Sequence, residues 1–161
     1  MANYLIDTNV LIAASRLTDV GDLALHEIHQ VRAWFANWGA SSDGFVFHKA
    51  FLEEYKNKLN FQDYGLMMIQ DKMTRGQIDW CLDIEFDENG HAIVPDAFAK
   101  MDQSDKKWVA AALQNPDARP IVNCADSDWE DESFVLILNS HNIQVIALRR
   151  KSPEKQIRKG T

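Results

Sequence analysis

The chain has 161 residues, enough for one domain with a sizeable core. Hydrophobic residues make up 46% and charged residues 25%, the values of an ordinary soluble globular protein. No apolar run is long enough to span a bilayer, and no basic segment followed by an apolar one marks a signal peptide.

Cys81 and Cys124 lie far apart and match no zinc or redox spacing, so they read as reduced thiols of a cytoplasmic protein. The net charge is −7, but it is unevenly distributed. Residues 147–161 carry Arg149, Arg150, Lys151, Lys155, Arg158 and Lys159 against Glu154, a balance of +5 that leaves −12 on the rest. A basic tail on an acidic body suits contact with a polyanion, and equally suits a solvated terminus.

Residues 2–6 read as a short buried strand that stops at Asp7-Thr8-Asn9, residue types that favour helix N-caps. A helix is expected from about Val10 and a longer one across about 20–38, where Leu23, Ile28, Val31, Trp34 and Phe35 recur at helical spacing. Gly39 to Gly44 is a loop by composition. GFVFH reads as a strand, followed by a helix over about 49–60 and an amphipathic stretch over about 62–75. In 77–95, imperfect alternation around Asn89-Gly90 predicts an acidic β-hairpin whose charges form mostly a solvated face. A helix follows over about 103–114, then a strand at 120–124, a helix opened by the acids of 126–132, and a last strand at 143–148. Strands alternating with helices predict an α/β domain with a mainly parallel sheet, whose sites lie beyond the carboxyl ends of its strands.

Acidic residues recur at the edges of these segments. Asp7 ends a strand and opens a helix, where it is a cap or a ligand. Glu54 borders the apolar face made by Phe51, Leu52, Tyr55 and Leu59, while Glu53 falls further round, and Lys58 stands at i+4 for an exposed ion pair. Asp105 shares the stripe of Trp108, Val109 and Ala112, with Lys106 and Lys107 expected to point away. Asp102 or Ser104 is the alternative cap of that helix. Asp126 and Asp128 directly follow a strand. Gathered at one point, such carboxylates would suit a hard divalent cation.

In this order, Asp7 in IDTNVL, Glu54 in LEEY, Asp105 in DKKWVAAAL, and Asp126 and Asp128 in ADSDW resemble a PIN-domain protein over about residues 3–148. The family includes metal-dependent ribonucleases and VapC-type toxins. The resemblance implies a three-layer α/β/α fold over residues 1–148, with the acidic hairpin at 77–95 as an insert and 149–161 as a basic tail. It implies Mg²⁺- or Mn²⁺-dependent endonucleolytic cleavage, most often of RNA. In that scheme Asp7, Glu54, Asp105 and Asp126 are catalytic. Asp7, Asp105, Asp126 and Asp128 hold the metal, and Thr8 and Asn9 orient the first carboxylate. Arg149, Arg150 and Lys151 are candidate RNA contacts. A homodimer and an antitoxin protein are the partners the family suggests.

Cys124 departs from the pattern, because the family usually has Thr or Ser there and a thiol cannot make the same hydroxyl hydrogen bond. A haloacid-dehalogenase reading fails on Asn9, which stands where a second Asp is needed. A receiver domain lacks its Asp and Lys. The alternative from a different class is a non-catalytic PIN-like module that binds RNA or protein. His26 and His29, at i and i+3, lack a third ligand and read as ordinary helix residues.

Overall fold

The computed structural model describes residues 2–16, 20–125, 129 and 131–149. Five strands, β1 (Asn3–Ile6), β2 (Gly44–Phe47), β3 (Ile78–Trp80), β4 (Ile121–Asn123) and β5 (Val145–Ala147), form one sheet in the order β3-β2-β1-β4-β5. Every strand pairing is parallel, with Asn3 opposite Gly44 on one side of β1 and Ile6 opposite Val122 on the other. A parallel sheet is covered on both faces, which is why its strands are apolar runs. Leu5, Ile6, Phe45, Val46, Ile121 and Val122 are all buried.

Among the described residues the α-helices with given bounds are α1 (Thr8–Ser15), α2 (Leu25–Ala40), α3 (Lys49–Lys58), α4 (Tyr64–Thr74), α5 (Lys106–Gln114) and α6 (Glu132–Ser140). From β1 the chain steps outward through β2 to β3, then returns across the sheet to β4 and β5. The chain's direction across the sheet reverses after β3, which flanks the sheet with helices in the expected α/β/α layering. The direction reverses between β1 and β4, so the carboxyl ends of those two strands flank a topological switch point.

Two structural details depart from the sequence expectations. The second long helix begins at Leu25 rather than near residue 20. Within 77–95, residues 78–80 join the parallel sheet as its edge strand, and the antiparallel pairing reduces to one bridge, Phe86 to Ala92. Gly90, at φ +79°, turns the chain there. Asp79 is not part of a solvated face, since Arg119 grips both of its carboxylate oxygens at 2.9 and 3.2 Å. No described helix is long and apolar enough to cross a membrane.

The core is aromatic. Trp108, Trp129, Tyr55, Phe35, Phe45 and Phe51 are fully buried. Phe51 of α3 stacks on Trp108 of α5 with ring centroids 4.1 Å apart and planes 11° from parallel. Burying two such rings contributes several kcal/mol, on the order of 25 cal/mol per Å² of apolar surface. Lys72 is also fully buried, yet its ammonium donates to the carbonyls of Ser41 at 2.9 Å and Asp43 at 2.5 Å, tying α4 to the chain that enters β2.

The close approach of α4 to α1 depends on Gly65. A Cβ there would lie 2.6 Å from the Leu11 carbonyl oxygen and 2.9 Å from Leu11 Cβ, with the Ser15 hydroxyl also at 2.9 Å. The Gly65 amide donates to that same hydroxyl at 2.8 Å. Because the nearest obstacle is backbone, the helices must separate to admit a methyl group. Gly65→Ala is expected to cost about 1–3 kcal/mol, the usual penalty of overpacking, read as a lower urea midpoint at unchanged m-value. An unchanged midpoint would show that α4 shifts freely on α1.

Candidate functional site

Asp7, Glu54 and Asp105 come from three separate segments and line one cleft of about 190 Å³ at the carboxyl end of β1. Thr8, Lys58 and Ser104 share its wall. Each acid reaches the cleft for a local reason. Asp7 is the residue after β1, and its amide still belongs to the sheet, donating to the Val122 carbonyl at 3.0 Å. Asp105 is the residue before α5. Glu54 is in the middle of α3, held down by neighbours on both sides: Phe51 stacks on Trp108, and the Tyr55 hydroxyl donates to the Ile6 carbonyl at 2.6 Å.

Asp7 and Asp105 occupy the N-cap positions of α1 and α5, yet neither side chain makes a cap hydrogen bond. Asp131 shows the ordinary behaviour, accepting from the Ser133 amide at 2.9 Å at the start of α6. Asp102, the other proposed cap for α5, instead accepts from the amide and hydroxyl of Ser104 at 2.8 and 2.7 Å. Asp7 and Asp105 are only 4% and 5% exposed, an uncommon position for carboxylates. The positive ends of α1 and α5 offset part of that cost.

Glu54 is the inward acid of the Glu53–Glu54 pair, with its side chain 23% exposed against 63% for Glu53. The structure gives it different partners from those the spacing suggests. The Thr8 hydroxyl donates to Oε2, so Thr8 orients Glu54. Lys107 Nζ lies 2.7 Å from Oε1, so Glu54 pairs across to α5 and not with Lys58 along its own helix. Lys107 therefore turns toward Glu54, a residue of the cleft wall, instead of pointing away. Lys106 does not point into solvent either: its side chain is buried, with Nζ 3.4 Å from the Ala99 carbonyl. Asn9 lines the cleft beside Thr8 and is partly buried.

Two titratable neighbours respond to this environment. Burial, followed by the charges of Asp7 and Glu54, pushes the Tyr55 phenol well above its ordinary value, so it stays a neutral donor to Ile6. His48 caps α3 by accepting from the Ala50 amide at Nδ1, 2.9 Å away, and burial lowers its pKa.

Asp126, Asp128, Arg150 and Lys151 lie outside the described residues. Arg149 is engaged by acids, at 2.5 Å from Asp22 and 3.9 Å from Glu27, and its side chain is only 11% exposed. Among the described residues, no three His, Cys, Asp or Glu side chains group closely enough to hold a metal ion together. Cys124 is fully buried at the end of β4. The sequence reading missed the contribution of Lys107, because its partner lies on another helix and no local spacing signals it.

Comparisons with protein-family models, with curated proteins and with solved structures find no match to this chain.

The cap on α3 makes the presentation of Glu54 sensitive to acid. A protonated Nδ1 cannot accept from Ala50. Since the folded pKa of His48 lies below the ordinary 6.5, its contribution is present above that value and lost as pH falls through the folded value. Urea unfolding at about pH 7 and pH 5 should show wild type losing up to about 1 kcal/mol more than His48→Asn, which keeps a cap acceptor at both pH values. Parallel losses in the two proteins would remove His48 from the account.

Proposed function

We propose that the chain is a Mg²⁺- or Mn²⁺-dependent endoribonuclease of the PIN type, acting on RNA phosphodiesters in this cleft. The observation that carries the reading is that Asp7 and Asp105, each free to cap a helix by position, line a cleft with Glu54 instead of capping. The donors are all carboxylate oxygens, the chemistry that suits a hard divalent ion and not a soft one.

In this reading Asp7 and Asp105, together with Asp126 and Asp128, hold the ion, which when bound neutralises phosphate charge and acidifies a water molecule. The protein's own part is orientation and charge balance. Gathered carboxylates raise one another's pKa unless cations are near, so the ion-free cleft carries a cost. Thr8 and Lys107 fix Glu54 facing the cleft, and Tyr55 pins α3 to the end of β1, so the acids are set before substrate arrives. Lys58 on the same wall supplies attraction for a phosphate. No nucleophilic side chain is required. The same reading gives RNA as substrate, the cytoplasm as compartment, and a toxin role with a second copy and an antitoxin as partners.

One observation favours the reading from a different class. Glu54 is already satisfied by Lys107 and Thr8, and the described acids do not form a metal-sized group. That arrangement also suits a module that binds RNA or protein without cutting.

The two readings separate in one assay. Generic single-stranded RNA is incubated with protein in EDTA, Mg²⁺ and Mn²⁺, beside Asp7→Asn and Asp105→Asn. A nuclease cleaves only with metal, loses activity by at least about 100-fold in either variant, and keeps a melting temperature at or above wild type, since each substitution relieves repulsion. Cleavage that survives either substitution would overturn the assignment of the site. Wild type should also melt higher in Mn²⁺ than in EDTA, by mass action on the folded state, and a flat response would leave the non-catalytic module as the better reading.

A further inference from the structure

We propose that Lys107 is the resident counter-cation of the cleft: it holds Glu54 while the cleft has no divalent ion, and on ion binding it releases Glu54 and contacts a substrate phosphate. This rests on the metal-dependent reading above.

The geometry shows the first of these states. Lys107 lies on the first turn of α5, two residues past Asp105, and its ammonium sits 2.7 Å from Glu54 Oε1 and 2.5 Å from the Ser104 carbonyl. The other oxygen of Glu54 accepts from Thr8. Both oxygens are thus taken by donors of the chain itself, and the lysine supplies the positive charge that three neighbouring acids call for. A divalent ion entering the same cleft would do that work with twice the charge and would repel the ammonium. The bond that must break joins side chains only 13% and 23% exposed, so it yields only because the entering ion takes over the charge of Glu54.

The displaced ammonium has somewhere to go. It lies over the Trp108 ring, 5.5 Å from the centroid, and the side chain is already 13% exposed beside Glu54 of the cleft wall. Lysine is a compact point charge on a flexible stem, able to exchange a carboxylate for a phosphate without the fixed fork that arginine requires. Lys58, which lines the cleft, is exposed and makes no ion pair with Glu54, so it serves as the control.

The test uses the full chain and Mn²⁺ alone, by calorimetry, with Lys107→Met, Lys107→Arg and Lys58→Met. Methionine keeps an apolar stem over Trp108 without the charge. Lys107→Met should bind Mn²⁺ at least several-fold more tightly than wild type, Lys107→Arg should match wild type, and Lys58→Met should change less than Lys107→Met. Misfolding cannot produce a gain in affinity. With a phosphorothioate oligoribonucleotide, Lys107→Met should bind several-fold more weakly than wild type in Mn²⁺ and equally in EDTA. Equal Mn²⁺ affinity in wild type and Lys107→Met would overturn this inference while leaving the metal site intact. Equal oligonucleotide affinity in Mn²⁺ would overturn the phosphate contact. Mn²⁺ binding by none of the proteins would sink the metal-dependent reading itself, and this inference with it.

Discussion

The stacking of Phe51 on Trp108 is the constraint on which the cleft depends. It joins α3, which follows β2, to α5, which follows the excursion through β3. Neither helix touches the other through sequence proximity. Two large rings, both fully buried, hold them together by the apolar surface they remove from water and by their parallel contact, the latter alone contributing about 0.5–1.5 kcal/mol. One turn along each helix from that contact stand Glu54 and Asp105. The distance from Glu54 to Lys107 across the gap is therefore a by-product of how the core packs.

The second constraint is the position of β1. It is the middle strand, and the sheet order reverses beside it. Its last carbonyl receives the Tyr55 hydroxyl, and the next amide is bonded to β4. The backbone at Asp7 is thus fixed from both sides, which sets the point from which its side chain projects. The backbone satisfies the sheet while the side chain lines the cleft. Placing anionic groups here is costly, and the protein meets that cost with two helix N-termini, one hydroxyl and one ammonium.

A cleft made in this way has charge balance as its main property. The acids lie at the ends of rigid elements, while the cations that face them are on flexible stems. Lys107 and Lys58 can respond to a ligand; Asp7 and Asp105 can respond much less. Arg149 belongs to a different balance, bound to Asp22 and Glu27 beside the start of α2, so the basic character of the C-terminal segment does not translate directly into an open cationic surface at that residue.

The sequence by itself determined the elements and their order. Apolar runs such as YLI, GFVF and IVN mark strands covered on both faces, and the stripes of α3 and α5 name their buried sides, because these patterns are local and follow the periods of the backbone. It also identified Asp7, Glu54 and Asp105 as acids bordering apolar surface. Only the tertiary structure decided that 78–80 joins the parallel sheet, since edge pairing depends on what lies beside β2 and not on an Asn-Gly turn ten residues later. Only it decided that Thr8 serves Glu54 and that Lys107 turns inward. Those choices belong to contacts between residues some fifty positions apart, fixed by core packing and charge balance, and no spacing along the chain encodes them.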